Sequence, residues 1–335
     1  MTCPVCHSPT ARRWCSCHDH LMKKPLPGRT FYRCLSCDLV YLSPQTSTTD
    51  YEEHYGEGYI SHKHVPSKPP RESYASQKLL QLRGQIWQEL FQVPMGLVSS
   101  GLFTRWMLLL IRRSVFFRST PLKCDGNGKK LLDVGSGAGQ FLTAQSQRGW
   151  NVHGLEPAPR MVEESRARGL DVRQGFSIAP YFPTPTFHFI VLNQVFEHLT
   201  DPQVMLKEGH DALRENGILY MNMPNARSLP AWLFRGFWFN LDAPRHNLLF
   251  SPSVIRRLLV QENFEVLMLY TSSSTKGFTG SIEYLLRDVF HLPLPEGSVR
   301  KNKWFNRCLV PFVRLIDWFG VGDNLHVIAR KKSIL

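Results

Sequence analysis

The stretch Leu131-Leu132-Asp133-Val134-Gly135-Ser136-Gly137-Ala138-Gly139 decides the fold class of this chain. Residues 129–134 end in a short apolar run that predicts a buried parallel strand. The glycine-rich segment follows at once, and residues 141–148 are predicted to form a helix directly after it. A strand, a glycine loop and a helix in this order are the nucleotide-binding opening of a doubly wound α/β sheet.

The spacing of the glycines narrows the class of ligand. A dinucleotide fingerprint has the pattern G-x-G-x-x-G, which would place its third glycine at Gln140. The chain instead has a glycine at every second position of the loop. A second predicted strand ends in Glu156, whose carboxylate is placed to accept hydrogen bonds from both hydroxyls of a ribose. Nicotinamide-binding folds also carry such an acid, so it is the glycine spacing that disfavours a dinucleotide.

Several segments together resemble one family, the class I S-adenosylmethionine-dependent methyltransferases. Residues 131–139 and 154–157 resemble its motif I and the acidic strand that follows. Residues 187–202 resemble its fourth strand and the helix after it, residues 213–225 its fifth strand, and residues 323–330 its final antiparallel strand. The resemblance implies an α/β fold with a seven-stranded Rossmann-like sheet, and an enzyme that uses S-adenosylmethionine. The cofactor-binding residues that it implies are Asp133, Gly135, Ser136, Gly137, Gly139, Glu156, Pro157, Asn193 and Gln194.

A further segment, Pro-Arg-His-Asn-Leu-Leu-Phe-Ser at residues 244–251, resembles the part before the fifth helix in one subgroup of this family. Members of that subgroup often carry an N-terminal zinc ribbon and methylate small molecules in sugar, quinone and secondary-metabolite pathways. The chain departs from the family at Phe187-His188, where Phe-Asp is frequent, and at Glu215-Asn216-Gly217, where Pro-Gly-Gly is frequent. Neither position is expected to touch the transferred methyl group, so the cofactor assignment stays intact. The resemblance to the subgroup implies a small-molecule acceptor.

Six of the eight cysteines lie before residue 40 and include two C-x-x-C pairs, Cys3 with Cys6 and Cys34 with Cys37. Two such turns close a tetrahedral four-sulfur zinc site, and the residues between them leave room for a β-hairpin. Four thiolates leave no open position for a substrate, so the predicted zinc is structural. Other residues between the pairs are expected to be solvent-exposed in loops: His7, Cys15, Cys17, His18 and His20.

These patterns divide the chain into three parts. We expect a zinc ribbon at residues 1–45, a linker and helical region at 46–125, and a methyltransferase domain at 126–335. Insertions are predicted within that domain at about residues 226–245 and 275–320, and both are rich in aromatic residues. The first insertion either walls a pocket for a flat or lipidic acceptor or packs on the core, through Trp232, Phe234, Phe237, Trp238 and Phe239.

The chain is strongly basic, with a formal net charge of +13. This balance predicts an anionic partner, which would be nucleic acid, an acidic membrane surface or a phosphorylated substrate. The alternative is a basic surface that only contacts solvent. Residues 102–118 are apolar and basic without an acid, which fits an interfacial membrane helix, the lining of a site for an apolar substrate, or a core helix. No export signal follows Met1 and no apolar run is long enough to span a membrane, so we expect a cytoplasmic protein with peripheral membrane contact.

Two histidines are candidate general bases, because imidazole takes up a proton near neutral pH. His246 is predicted to lie over the carboxyl ends of the strands, and His198 on the helix after the fourth strand. Glu197 is expected to be a residue at a helix N-terminus or a hydrogen-bonding residue. Two interpretations of Arg245 are open: it binds an anionic group of the substrate, or it forms a salt bridge on the surface.

Three functions compete at this stage. The first is methyl transfer to a small molecule, including lipid-linked or anionic acceptors. The second is an RNA methyltransferase that uses the ribbon and the positive charge to bind nucleic acid, which is disfavoured because Asn193-Gln194-Val195-Phe196 replaces an Asn-Pro-Pro-Tyr-type motif. The third is a binding protein without activity, disfavoured by the intact Asp133, loop glycines and Glu156. The acceptor atom and the oligomeric state stay open.

Overall fold

The computed structural model describes residues 2–47 and 126–332. Residues 102–118 lie outside these ranges, so the three interpretations of that segment stay predictions. The chain divides into two compact units, Met1–Ser61 with Ser177–Leu335, and His62–Phe176. We call them the large unit and the small unit.

The strands and helices are numbered in chain order through the described residues. The strands are β1 Ala11–Asp19, β2 Lys24–Cys34, β3 Val40–Ser43, β4 Lys130–Val134, β5 Asn151–Glu156, β6 Asp171–Gln174, β7 Phe187–Asn193, β8 Leu213–Pro224, β9 Leu248–Leu249, β10 Phe264–Ser272 and β11 Asn324–Lys331. The helices are α1 Gln140–Ser146, α2 Pro159–Ala167, α3 Pro202–Ala212, α4 Leu229–Phe234, α5 Pro252–Gln261, α6 Thr275–Asp288 and α7 Lys303–Trp318.

The predicted seven-stranded α/β sheet is confirmed, with the strand order β10-β11-β8-β7-β4-β5-β6. The pairs β4–β5, β5–β6 and β7–β8 are parallel. The last strand, β11, is antiparallel to both of its neighbours, β8 and β10. The last strand of the chain is therefore inserted between the two earlier strands β8 and β10. This matches the final antiparallel strand that was predicted at residues 323–330.

The small unit alternates β4, α1, β5, α2 and β6. Leu131 and Leu132 are fully buried in β4, as the apolar run predicted. Helix α2 begins with a proline in its first turn, which is tolerated there because the first amide groups of a helix have no intrahelical acceptor. The glycine loop is thus held between a buried strand and two short helices.

The large unit contains a second sheet of order β1-β2-β3-β9. Strands β1 and β2 form the expected hairpin between the cysteine pairs, and β3 pairs with β9, joining Tyr41 to Leu248 and Val40 to Leu249. The N-terminal hairpin therefore shares backbone hydrogen bonds with a segment more than 200 residues later in the chain. It shares an apolar cluster as well, whose buried members are Phe31, Val40, Leu42, Ala231, Phe234, Trp238, Leu241, Ala243 and Leu249.

The expectation of exposed loop residues between the cysteine pairs is wrong for most of them. Cys15, Cys17 and His18 lie on β1 and not in a loop. Cys15 and Cys17 pack against the shared apolar cluster, whereas His18 is exposed, as expected. Burial raises the pKa of both thiols to about 12, so they stay protonated. His20 is buried, whereas His7 is exposed, as expected. Side chains at alternate positions of a strand share one face, and here that face lies against the core.

The structure places both aromatic segments that the sequence predicted as insertions. In the segment between β8 and β9, Phe234 and Trp238 are buried in the shared cluster, but Trp232 is 65% exposed. The other aromatic segment contains α6 and α7, which lie between β10 and β11. Within the described ranges, no helix has both the length and the apolar character needed to cross a membrane.

Candidate active site

The glycine loop of the small unit follows β4 directly. Gly135, Gly137 and Gly139 have φ angles of 73°, 54° and 79°, a region that side chains with a Cβ rarely enter. A Cβ on Gly139 would also collide with Leu170, so this position requires glycine for packing as well. A Cβ on Gly137 would meet nothing within 4 Å, which leaves the backbone open to approach by a ligand.

Glu156, at the end of β5, is bonded to the loop. One of its carboxylate oxygens accepts from the Gly137 amide at 2.8 Å, and the other accepts from the Ala158 amide at 2.9 Å. Burial raises its pKa, and these two amide donors oppose that shift. The carboxylate therefore shapes the loop, and each oxygen keeps a further lone pair for a ligand.

Two more polar groups of the loop are buried. Asp133 is 4% exposed at the end of β4, and desolvation together with the nearby Glu156 charge raises its pKa well above the ordinary value. Ser136 is 6% exposed, and its hydroxyl has no hydrogen-bond partner among the residues that the structure describes. An unpaired buried hydroxyl is costly, so it marks a place where a polar ligand would fit. Pro157 is half-buried.

In the large unit, Asn193 and Gln194 are exposed at the end of β7. The Asn193 side-chain oxygen accepts from the Asn222 amide group at 2.9 Å. Gln194 has a φ of 58°, and its side-chain amide donates to Asn324 at 3.3 Å. Both amides therefore lie at the carboxyl end of a parallel strand, the edge at which open sheets bind their ligands.

His246, His198 and Glu197 form one cluster in the large unit. The His246 and His198 rings are 4.7 Å apart at 71°. Nδ1 of His246 bonds to the Asn240 carbonyl at 2.9 Å, and Nδ1 of His198 bonds to the Arg245 carbonyl at 3.0 Å. Since a carbonyl only accepts, both rings carry a proton on Nδ1, and the neutral form of each has its lone pair on Nε2.

Glu197 lies in the first turn of a short 3-10 helix, and its backbone carbonyl accepts from the Asn247 amide at 2.8 Å. Its side chain makes no hydrogen bond, because neither carboxylate oxygen has a partner within residues 2–47 and 126–332. The residue is fully buried, and desolvation raises its pKa to about 8. One oxygen lies 3.9 Å from Nε2 of His246. His198 lies in a 3-10 turn, Phe196–His198, and not on the helix that was predicted there, which begins only at Pro202.

Burial lowers the pKa of both histidines. The pKa of His198 falls to about 3, mainly by desolvation and then by the neighbouring His246. His246 is lowered by desolvation too, but Asp242 opposes the shift. A carboxylate oxygen of Asp242 lies 3.9 Å from Nε2 of His246. His246 is therefore the better proton acceptor of the two, since two carboxyl groups face its Nε2 atom.

Neither interpretation of Arg245 from the sequence matches the structure. Its side chain is fully buried, so the surface salt bridge is wrong, and its nitrogens donate to two protein carboxylates. Nη1 and Nη2 each donate to one oxygen of Asp19 at 2.9 Å. Nε and Nη2 donate to Asp242 at 2.9 and 2.7 Å. Burial alone would lower the pKa of Arg245, but the two carboxylates outweigh it and raise the pKa.

Asn247, the residue directly after His246, is held by hydrogen bonds of its side chain to two other segments of the large unit. Its side-chain amide donates to the carbonyls of Thr46 and His198, both at 3.0 Å, and its side-chain oxygen accepts from the Thr46 amide at 2.8 Å. The Thr46 hydroxyl donates to the Pro244 carbonyl at 2.6 Å. Sequence analysis missed Asp19, Thr46, Asp242 and Asn247, because no local pattern connects them; only the i, i+3 spacing of Asp242 and Arg245 was a signal.

The four sulfurs of the C-x-x-C pairs lie close together in the large unit. Cys3 Sγ is 3.5 Å from Cys37 Sγ, and Cys6 Sγ is 3.5 Å from Cys34 Sγ. All four sulfurs lie within 4.8 Å of one another. A tetrahedral ion with metal–sulfur bonds of about 2.3 Å would have sulfur–sulfur distances of about 3.8 Å. The donor set therefore fits one tetrahedral ion.

The sheet order, the final antiparallel strand and the glycine loop after β4 define the Rossmann-like α/β class of nucleotide-binding proteins. Residues 103–269 match the family described as "Methyltransferase domain". The chain belongs to the class I S-adenosylmethionine-dependent methyltransferases, and the resemblance inferred from the motifs is confirmed at this level.

Curated relatives agree with the family. The chain is 25% identical over 39% of its length to a ubiquinone biosynthesis O-methyltransferase of Idiomarina loihiensis, and 30% identical over 32% to one of Pseudomonas aeruginosa. It spans 59% and 49% of these relatives, about half their length. A solved S-adenosylmethionine-dependent methyltransferase from Archaeoglobus fulgidus aligns with 74% of this chain and 99% of its own, at 16% identity and a TM-score of 0.43.

Proposed function

We propose that this protein transfers the methyl group of S-adenosylmethionine to an oxygen of a small, lipophilic acceptor. The observation that carries the proposal is the glycine loop, whose positive φ angles, open Gly137 backbone and unpaired Ser136 hydroxyl fit a nucleoside cofactor. Two curated relatives are O-methyltransferases of ubiquinone biosynthesis, and this supports oxygen as the acceptor atom.

Residues of this chain would hold the cofactor as follows. Gly135, Gly137 and Gly139 shape the loop around it, and the free lone pairs of Glu156 accept from its ribose hydroxyls. Pro157 limits the backbone beside that carboxylate. In the small unit, Asp133 and Ser136 add buried polar groups to the loop. Asn193 and Gln194, in the large unit, are proposed as ligands of the methionine part from the family resemblance.

The bound cofactor supplies an activated methyl sulfonium, so the protein has to position the acceptor and remove its proton. Nε2 of His246 would take the proton of the acceptor hydroxyl as that oxygen receives the methyl group. Asp242 stabilises the resulting imidazolium, because its carboxylate has an oxygen 3.9 Å from that nitrogen. The Glu197 carboxyl group lies at the same distance on another side and holds its own proton up to about pH 8. His198, whose pKa is about 3, holds the segment through the Arg245 carbonyl and is not the base.

A structural zinc ion is part of the proposal. Cys3, Cys6, Cys34 and Cys37 would bind it as thiolates and leave no position open for a substrate. The N-terminal hairpin is small, so metal binding would contribute much of its folding free energy.

Contact with an anionic membrane also belongs to the proposal, and α7 supports it. Trp304, Cys308, Pro311 and Leu315 follow one another at helical spacing and are all exposed, Trp304 by 77% and Leu315 by 54%. The exposed cations beside this apolar stripe are Lys303, Arg307 and Arg314. The acid of this helix, Asp317, is buried and bonded to Ser273. An apolar stripe bordered by cations matches the surface of an anionic bilayer.

The experiment that tests the proposed function uses the full-length protein with radiolabelled S-adenosylmethionine and extracts of small metabolites and lipids. We expect label to enter an organic-soluble product, and the same product to be absent with a His246→Gln variant. Calorimetry should show binding of S-adenosylhomocysteine to both proteins. Label only in RNA, or no binding of S-adenosylhomocysteine by folded protein, would overturn the proposal.

A further inference from the structure

We infer that Asp19, at the tip of the N-terminal hairpin, is a positioning residue for the His246 site, so that the hairpin holds that site in its working geometry. The inference rests on the proposed function, in which His246 takes the acceptor proton. It begins from the Asp19 carboxylate, which is 2% exposed and binds Arg245 with both oxygens.

The contact reaches the proposed base through the backbone. Arg245 directly precedes His246, and its carbonyl accepts from the His198 ring at 3.0 Å. A guanidinium anchored by two parallel hydrogen bonds has a fixed plane and little freedom to rotate. Moving Arg245 would therefore move the carbonyl that accepts from the His198 ring, and it would also move the backbone of His246.

The contact also acts through charge. Asp19 and Asp242 each carry a negative charge and Arg245 one positive charge, so the buried triad is negative by one unit. Asp242 uses one oxygen for Arg245 and presents the other to Nε2 of His246. A net negative charge near that nitrogen favours the imidazolium. Removing the charge of Asp19 would make His246 a weaker base, and the other groups that face it, Glu197, His198, Asp242 and Arg245, would be unchanged.

A second hairpin-side contact fixes the same segment independently. Thr46, which follows β3, donates its hydroxyl to the carbonyl of Pro244, and it exchanges backbone hydrogen bonds with the side chain of Asn247. Residues that precede position 48 thus hold the segment 244–247 at Pro244, Arg245 and Asn247. By contrast, the ion pair between Arg227 and Asp38 also joins the hairpin to later sequence, but Arg227 is 58% exposed and contacts none of these residues.

The test compares Asp19→Asn, Thr46→Val and the control Arg227→Gln in the full-length protein. Ring signals of His198 and His246 are followed by nitrogen-15 NMR and assigned with His198→Gln and His246→Gln. We expect both signals to move in Asp19→Asn and Thr46→Val, with the His246 titration midpoint at lower pH in Asp19→Asn. Zinc content and S-adenosylhomocysteine affinity should stay as in wild type, and Arg227→Gln should match wild type throughout.

Activity gives a second readout. For a misplacement of about 1 Å, methyl transfer falls by up to about a hundredfold, and we expect a fall in kcat of at least about tenfold in Asp19→Asn at unchanged KM for the methyl donor. Thr46→Val loses the two hydrogen bonds that the hydroxyl makes with Pro244 and Arg29, and it tests the inference even if Asp19→Asn fails to fold. Unmoved ring signals in either folded variant would overturn the inference. If wild type transfers no methyl group, the proposed function fails, yet the ring signals still decide the positioning role.

Discussion

Arg245 and Asp19 form a bidentate ion pair in which the two side chains are 0% and 3% exposed, although 226 residues separate them in the chain. Desolvating two charges is costly, and here the cost is offset by parallel hydrogen bonds and by a third partner, Asp242. The pair joins the N-terminal hairpin to the segment that carries His246.

Breaking this ion pair from one side should destabilise the protein strongly. Arg245→Met leaves two buried carboxylates without their cation, and we expect a loss of about 3–5 kcal/mol in the free energy of unfolding. Urea denaturation measures it. Arg227→Met removes an exposed pair and should cost less than about 1 kcal/mol. Equal losses in the two variants would contradict the view that the Arg245 triad is a buried structural centre.

Glu156→Gln should weaken cofactor binding. The amide group would bring an N–H donor toward the Gly137 or Ala158 amide, both of which donate to the carboxylate in the wild type. We expect the dissociation constant for S-adenosylhomocysteine to rise at least about tenfold, or about 1.4 kcal/mol, in calorimetry. Glu163→Gln, on the exposed side of α2, is the matched control. An affinity within about twofold of wild type would count against Glu156 as a cofactor residue.

Glu197 should make stability depend on pH. Its pKa is raised from 4.5 to about 8 by burial, so the native state holds the proton more tightly than the unfolded chain does. The resulting stabilisation is complete below about pH 4.5 and is lost as the pH rises to about 8. At about 1.4 kcal/mol per pH unit, the loss is at most about 5 kcal/mol.

Denaturation of wild type and Glu197→Gln between pH 5 and pH 8 tests this directly. The difference in unfolding free energy between the two proteins should shift in favour of the variant as the pH rises, because glutamine does not titrate. His198 is common to both proteins and cancels from the difference. A constant difference across this range would show that Glu197 is not a proton-holding group.

Loss of the cysteine cluster should remove the metal. Wild type should contain about one zinc ion per chain, and a Cys3→Ser, Cys34→Ser double variant should contain none by elemental analysis. Cys308→Ser is the control, because that thiol is exposed on α7 and distant in sequence from the cluster. Wild-type protein without metal, purified in the absence of chelators, would contradict the zinc prediction.

The apolar stripe of α7 should bind anionic vesicles. We expect the protein to float with vesicles that contain phosphatidylglycerol, less so at high salt, and Trp304→Ser, Leu315→Ser to reduce flotation several-fold. Val260→Ser is the control, since Val260 is 52% exposed on α5. Equal flotation of the double variant and wild type would contradict α7 as the membrane-binding surface. If the stripe instead mediates self-association, the molecular mass of the protein in solution would rise with its concentration.

The sequence alone predicted the features that depend on local pattern. The apolar run of β4, the alternate glycines and the acid that ends β5 lie within 30 residues of one another, and local backbone rules connect them to the α/β sheet. The paired cysteines predicted a hairpin between them for the same reason. Cofactor and zinc residues that were named from these patterns stay predictions.

Only the tertiary structure decided what the polar residues around His246 do. Burial, and not residue type, made Glu197 an unpaired carboxyl group and lowered the pKa of His198 to about 3. The local sequence around Arg245 indicated a substrate-binding or surface residue, because its partner Asp19 precedes it by 226 positions. Desolvation and long-range pairing depend on which distant segments pack together, and no spacing within the sequence records that information.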